Sequence, residues 1–196
     1  MADASLTLLP LAFAALVVVV MVFGVRRELR LRRELIAGLR GAGLRVEREP
    51  SAFSSTVEVP LDGRPARITH HKEGKNGPYV TRLSVDCAVP EGFLLQVTRE
   101  GLGARIAKML GGVDVEVGDA EFDARFRVSA DDRDRATFAL SPDLRREILD
   151  VVEFRRLRVR GREATLEVEG RVMEPLALVG LLRVLDRMAA RVEATR

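Results

Sequence analysis

Five arginines within eight residues form the clearest candidate for chemistry in this 196-residue sequence. They lie in the stretch RRLRVRGR, at positions 155–162. If this stretch is a strand, every second side chain projects from one face, so four guanidinium groups would form a row. Such a row could bind a phosphate group or an anionic lipid, because guanidinium groups pair well with phosphate oxygens. The members of this row are Arg156, Arg158, Arg160 and Arg162.

A two-residue turn at positions 161 and 162 would give the same arginines a structural role. A hairpin closed there places Arg160 opposite Glu163 and Arg156 opposite Glu167. Cross-strand ion pairs of this kind contribute roughly 0.2–1 kcal/mol each, and they would neutralise the row. The other face of the hairpin then carries apolar side chains, as a core-facing side should. We therefore favour a solvated ladder of ion pairs over a ligand site.

The other titratable side chains do not form a recognisable active site. His70 and His71 are adjacent, and adjacent strand residues face opposite sides of a sheet, so they cannot readily chelate one metal. Cys87 alternates with Leu83 and Val85, which predicts a small core residue. Two clusters of acidic residues lack the spacing of a calcium-binding loop. These groups are Asp119, Glu121 and Asp123, and then Asp131, Asp132 and Asp134. We predict no catalytic residue, no cofactor site and no metal site.

The elements that position these residues begin with an uncharged run from Leu6 to Val25. Twenty helical residues rise roughly 30 Å, which matches the hydrocarbon layer of a bilayer. The run predicts a single transmembrane helix. A cleaved signal peptide is the alternative, since small residues near Gly24 offer a cleavage position. The absence of a positive n-region and the length of the run favour the uncleaved anchor.

Arginines follow the apolar run at once. The segment Arg26–Arg40 contains six Arg and two Glu, whereas the residues before the run include no Lys or Arg. The positive-inside rule therefore predicts a cytoplasmic domain and an N-terminus outside. Five of these arginines lie within about 11 Å of helix rise and could contact anionic lipid headgroups. They are Arg26, Arg27, Arg30, Arg32 and Arg33.

Along this helix, from Val18 to Leu39, apolar residues recur at alternating intervals of three and four positions. It has the form of a heptad seam, which would allow homo-oligomerisation through the anchor helix. Arg32 interrupts the seam, and an apolar membrane helix matches many such patterns. Self-association of the helix is therefore an open alternative.

The charge balance excludes one class of partner. The chain has 32 basic and 29 acidic residues, but the part from Gly41 to Arg196 has 26 of each. General nucleic-acid binding needs an excess of cations to neutralise phosphates. We therefore predict no nucleic-acid partner. A single cysteine permits no intramolecular disulfide, which is compatible with a reducing compartment.

The remaining sequence predicts an α+β domain of antiparallel strands with helices packed on one side. Its first half alternates apolar and polar residues in four strands from Val57 to Val97, which predicts an antiparallel meander. The turn signal Asp62-Gly63 joins the first two strands. A short helix over about Leu102–Leu110 should follow. We divide the chain into an anchor (residues 1–25), a basic juxtamembrane helix and linker (26–43) and a cytoplasmic domain (44–196).

The second half of the domain mixes strands and helices. The residues EFDARFRVS alternate and predict one strand over positions 121–129 after a turn at Gly118-Asp119. A helix should start within Asp131–Ala139, and another should run from Ser141 and Pro142 to about Phe154. Strands at positions 156–160 and 163–169 should come before a last helix, from about Pro175 to Glu193. This helix carries one apolar stripe, which includes Leu178, Leu181 and Leu185.

The order of these segments resembles a group of bacterial membrane-anchored proteins of uncharacterised function. The resemblance lies in GDAEFDARFRVSADD, then SPDLRREIL, VRGREATLEVEG and the terminal helix, over Gly118–Val192. In that group a Phe-Asp-x-x-Phe-x-Val strand comes before an acidic helix start and a Pro-x-Leu helix. The resemblance implies a bacterial origin and an anchor-plus-domain plan, so the predicted anchor would lie in the inner membrane of a bacterium. It implies no activity, cofactor or catalytic residue.

Two classes of function follow from these observations. We favour a membrane-tethered cytoplasmic domain that binds another protein in a scaffold, assembly or sensing role. The alternative is an enzyme or lipid-handling domain that acts on an envelope component. A pocket that brings His70 or His71 together with carboxylates would favour the alternative. A surface without such a site, but with one exposed apolar patch, would favour protein binding.

Overall fold

The structure is a computed structural model that describes residues 4–50, 55–89, 91–99 and 113–195. Side chains of residues 4–12, where the predicted anchor begins, are outside this description. The predicted helix Leu102–Leu110 also lies outside the described residues.

Strands dominate the first half of the described chain, and helices and strands alternate in the second half. The helices are α1 (Ala4–Gly41), α2 (Ala120–Arg125), α3 (Arg133–Ala139), α4 (Pro142–Leu149) and α5 (Pro175–Glu193). The strands are β1 (Thr56–Leu61), β2 (Arg64–Lys72), β3 (Tyr79–Asp86), β4 (Leu94–Arg99), β5 (Val113–Val115), β6 (Phe126–Ala130), β7 (Phe154–Arg160) and β8 (Glu163–Glu169).

The described strands form one antiparallel sheet of eight strands, in the order β1-β2-β3-β8-β7-β4-β6-β5. Alternate strand residues point to a core that they share with the helices, and α5 packs on β3 and β8. The opposite face of the sheet carries polar and charged side chains, for example Arg82 and Glu167. The predicted α+β class with antiparallel strands is confirmed.

The predicted meander is correct for β1, β2 and β3 but wrong for β4. Strand β8 pairs with β3 along seven residues, and β4 pairs instead with β7 and β6. Turn residues specify only strands joined by a tight hairpin, such as β1 and β2, where Asp62 and Gly63 have positive φ. Nothing local to β4 specifies a partner that lies more than fifty residues further along the chain.

The predicted strand over positions 121–129 is also wrong in its first half. Residues Ala120–Arg125 form α2, and β6 starts only at Phe126. Asp119 caps the helix, since its carboxylate accepts a hydrogen bond from the Phe122 amide at 3.2 Å. Phe122 and Phe126 are four residues apart, a spacing that puts two side chains on one side of either a helix or a strand. Both rings are buried, with centroids 4.9 Å apart.

Helix α4 begins at Pro142 as predicted but ends at Leu149, five residues before the predicted end. Asp150 caps it, and Glu153 has a positive φ of 56° that a continuing helix would not allow. Phe154 is already the first residue of β7. The start of α3 and the bounds of α5 agree with the prediction.

The C-terminal end of α1 belongs to the core of the domain. Leu35 and Leu39 are 4% and 0% exposed and lie in the same apolar cluster as the sheet and α5. Gly38 allows this approach, because a Cβ there would lie 2.3 Å from the Cγ of Pro175 at the start of α5. The segment predicted as a juxtamembrane helix and linker therefore also supplies core side chains. None of the helices in the described ranges has a stretch long and apolar enough to span a membrane.

Candidate functional site

The arginine row lies on the polar face of the β7–β8 hairpin, in the register that was predicted. Arg160 is opposite Glu163, and Arg156 is opposite Glu167. Arg156 Nη2 lies 2.8 Å from Glu167 Oε2, so this rung of the ladder is an ion pair. The other rung differs from the prediction, because Glu163 accepts a hydrogen bond from Arg67 on β2 at 2.8 Å.

Glu167 is the centre of the charged cluster on this face. Its side chain is only 5% exposed, and Arg82 Nη2 on β3 contacts its other oxygen at 2.6 Å. Burial raises the pKa of Glu167, but the charges of Arg156 and Arg82 and their hydrogen bonds outweigh burial, so the pKa is lowered overall. The carboxylate is therefore ionised and held by two guanidinium groups from two strands. It is a structural anion and has no free position for acid–base chemistry.

The histidines do not form a site. His70 is buried and donates from Nε2 to the carbonyl oxygen of Val172 at 2.8 Å. Burial lowers its pKa, so the ring is neutral and structural. Cys87 lies in the apolar core as predicted, and burial raises the pKa of its thiol to about 11, which makes it a poor nucleophile. In the described parts of the chain no three His, Cys, Asp or Glu side chains converge to hold a metal.

The five juxtamembrane arginines lie along α1, where two of them have acidic neighbours. Arg30 pairs with Glu34 at 2.8 Å, and Arg32 pairs with Glu28 at 2.9 Å. The remaining three are exposed on the helix surface. They are Arg26, Arg27 and Arg33. Contact between this group and anionic headgroups stays a prediction.

Glu28 joins the start of this basic segment to the domain. Both oxygens of its carboxylate accept hydrogen bonds from Arg171, at 2.7 and 2.5 Å, in a bidentate pair. The hydrogen bonds from Arg171, with help from Arg32, lower the pKa of Glu28 to about 2 although burial opposes the shift. The orientation of α1 against the domain is therefore fixed by a salt bridge as well as by the apolar contacts of Leu35 and Leu39.

We expect Glu28→Gln to lower the free energy of unfolding by about 1 kcal/mol at neutral pH, since the pair is partly exposed. The pKa of Glu28 is lowered from 4.5 to about 2, so the pair stabilises the fold above pH 4.5. That contribution should be lost as the pH falls toward about 2. Urea unfolding of wild type and variant over this pH range measures the difference. A difference that does not change with pH would contradict this assignment.

An apolar groove of about 560 Å³ lies between the outer face of α5 and the loop after α4. Val152 on this loop is 81% exposed, although it borders other apolar side chains. Four carboxylates and one arginine surround the groove. Its apolar members are Val151, Val152, Val172, Ala177, Leu181 and Val184, with Gly180, and its charged rim is Glu147, Asp150, Glu153, Glu169 and Arg187.

The sequence contained a partial signal for this groove. The core stripe of α5 was predicted to include Leu181, but the structure places Leu181 at the border of the core, half-buried beside Ala177 and Val184. Residues 177, 181 and 184 form a second stripe along α5, which runs from the exposed Ala177 to the buried Val184 at the border of the core. The loop residues Val151 and Val152 were predicted as helical, so their place in the groove was missed.

Comparisons with known proteins reveal the fold but no family. No family model matches the sequence, and no curated protein matches it. Among solved structures, the chain is similar to the mycobacterial trehalose monomycolate transport factor A, TtfA, with a TM-score of 0.58 and 12% sequence identity. The match covers 83% of this chain and 95% of that one. At this identity the similarity establishes a shared fold.

Proposed function

We propose that the protein is a membrane-tethered factor whose cytoplasmic domain docks another protein during the handling of an envelope lipid. The observation that carries this proposal is the apolar groove between α5 and the α4–β7 loop. The similarity in fold to a transport factor for an envelope lipid supports the setting. The proposed role is an interaction in a scaffold, assembly or sensing function.

The tether rests on the sequence and on the surface of α1. The uncharged run Leu6–Val25 has the length of a membrane span. Every residue from 13 to 25 is exposed, including Phe13 at 68% and Phe23 at 72%. A helix that exposes apolar side chains on all sides needs an apolar environment to cover them. The arginines that follow support an N-terminus outside and a domain in the cytoplasm.

The chemistry of the groove favours a protein partner over a lipid headgroup. Its apolar lining would bury the apolar face of a helix, and its acidic rim would repel phosphate groups. An amphipathic helix with basic residues beside its apolar face fits both features. His70 donates to the carbonyl oxygen of Val172, which lines the groove. Because its ring is buried and neutral, His70 does not act as an acid or a base there. An acyl chain also matches the lining, so lipid handling is the second candidate function.

The tether predicts that the protein stays in the membrane fraction through an alkaline carbonate wash. A variant that lacks residues 6–25 should be released, because it has lost the apolar run. Protease added to intact spheroplasts should leave the domain uncut if it is cytoplasmic. Release of a soluble product that begins near Val25 would instead show a cleaved signal peptide, and digestion without lysis would overturn the proposed side.

If the groove binds a partner protein, Val152→Asp should weaken that binding strongly. A buried carboxylate at the centre of an apolar contact is costly, so we expect at least a tenfold loss of the partner recovered with the full-length chain from solubilised membranes. Val113→Asp is the matched control, since Val113 is 69% exposed on the edge strand β5. Both variants should unfold like the wild type. Equal recovery with both variants, or recovery of only a second copy of this chain, would contradict the proposal.

A further inference from the structure

The polar face of the sheet has a second cavity, of about 230 Å³, which is separate from the apolar groove. It lies over the β7–β8 hairpin and the adjacent edge of β3. Four arginines and two glutamates contribute to its walls, so the cavity has an excess of positive charge. Its lining consists of Arg82, Arg156, Arg158, Arg160, Glu163, Thr165 and Glu167.

Arg158 lines this cavity and, like the exposed Arg160, has no counterion among the described residues. It is half-buried, and among the described residues no hydrogen bond or ion pair reaches its guanidinium group. Both glutamates of the lining are engaged elsewhere, Glu167 by Arg82 and Arg156, and Glu163 by Arg67. Burial, followed by repulsion from Arg160 and Arg156, lowers the pKa of Arg158. A cation withdrawn from water without a partner is costly.

Two buried polar side chains in the same cross-strand row as Arg158 are also unsatisfied, although neither lines the cavity. Gln96 on β4 is the direct cross-strand neighbour of Arg158, and Ser129 on β6 is the neighbour of Gln96. Because directly paired residues project from the same face, the three side chains form one continuous row. Gln96 and Ser129 are only 3% and 6% exposed, yet Gln96 Oε1 and Ser129 Oγ have no hydrogen-bond partner. Buried polar groups are rarely left this way.

We infer that the cavity lined by Arg158, the Arg158 site, binds a phosphate group. A phosphate offers several anionic oxygens, so it can accept hydrogen bonds from Arg158 and from the exposed Arg160, both of which line the cavity. The charges of Arg156 and Arg82 are already balanced in part by Glu167, which makes Arg158 the principal cation. The phosphate could belong to a lipid headgroup or to a soluble phosphate compound. The inference does not depend on the proposed docking function.

Titration calorimetry on the full-length chain in non-ionic detergent tests this site at constant ionic strength. The probes are inorganic phosphate and a water-soluble short-chain phosphatidic acid, with the matching short-chain diacylglycerol as the uncharged control. We expect saturable binding of at least one phosphate probe and none of the diacylglycerol. Arg158→Gln should weaken this binding at least tenfold. Arg162→Gln, an exposed change in the same hairpin, should leave it within about threefold.

Arg158→Gln removes an unpaired charge, so its unfolding midpoint should equal or exceed that of the wild type. If that variant does not fold, Arg160→Gln serves as the second test, and it should weaken the binding of the phosphate probe several-fold. Binding of phosphatidic acid alone would identify the source as a lipid headgroup, and binding of inorganic phosphate alone would identify a soluble compound. Either result supports the site. The absence of binding by both probes, or binding by Arg158→Gln as tight as that of the wild type, would overturn it.

Discussion

Replacing Leu39 with alanine should lower the free energy of unfolding by about 2–4 kcal/mol, although Leu39 belongs to the helix that leads from the apolar run. The side chain is 0% exposed and lies in the core of the domain. Truncation would leave a cavity between α1 and α5, which Gly38 and Pro175 hold in close contact. Denaturant unfolding of the full-length chain in detergent, followed by circular dichroism, measures the loss.

Leu29→Ala is the matched control, because Leu29 is on the same helix but 46% exposed, and it should change stability by no more than about 0.5 kcal/mol. The same reasoning applies to truncation. A fragment that begins at Gly41 lacks the core side chains Leu35 and Leu39. A fragment that begins at Arg26 should be clearly more stable than one that begins at Gly41. Equal stabilities would show that α1 is only a tether.

Replacing Glu167 with glutamine should lower the free energy of unfolding by about 2–3 kcal/mol, less than the roughly 3–5 kcal/mol for a fully buried ion pair, because Arg82 and Arg156 are partly exposed. The carboxylate is 5% exposed and balances Arg82 and Arg156. Without it, the arginines of the hairpin and of β3 repel one another on one face of the sheet. Because the pKa of Glu167 is lowered in the fold, its contribution should be present at neutral pH and decrease on acidification.

Glu169→Gln serves as the control for this change, since Glu169 is exposed on the same strand. It should alter stability by no more than about 0.5 kcal/mol. Arg156→Gln combined with Glu167→Gln should recover part of the loss, because it removes one of the two cations that pair with Glu167. If Glu167→Gln and Glu169→Gln have the same small effect, the charged cluster does not stabilise the sheet in the way described.

The features that could be predicted from the sequence are those that depend on neighbouring residues. The turn at Gly161 specifies the register that places Arg156 opposite Glu167, and the apolar stripe of α5 gives the bounds Pro175–Glu193. The Phe122–Phe126 pair shows the limit of such reasoning, since its spacing fits a helix and a strand equally. The helix forms because Asp119 caps its N-terminus. From the sequence, Gly118-Asp119 was interpreted as a turn between two strands, so the helix was missed.

The features that were missed depend on contacts between distant segments. The ion pair of Glu163 with Arg67 joins β8 to β2 across β3, and no local pattern indicates it. The unpaired state of Arg158 likewise follows from which carboxylates are engaged by other strands. The groove needs both the second stripe of α5 and a loop that the sequence predicted as helix, so only the folded chain reveals it.

Site-specific photocrosslinking in intact membranes tests the docking proposal most directly. A photoreactive amino acid at position 152, in the full-length chain, reports what lies against the groove, and the same group at position 113 reports what lies against the edge strand β5. We expect position 152 to crosslink one partner protein, the same that Val152→Asp fails to recover, and position 113 to give no such product. Adding Leu181→Asp should abolish the crosslink at position 152. Crosslinks from position 152 only to lipid, or equal protein products from both positions, would contradict the proposal.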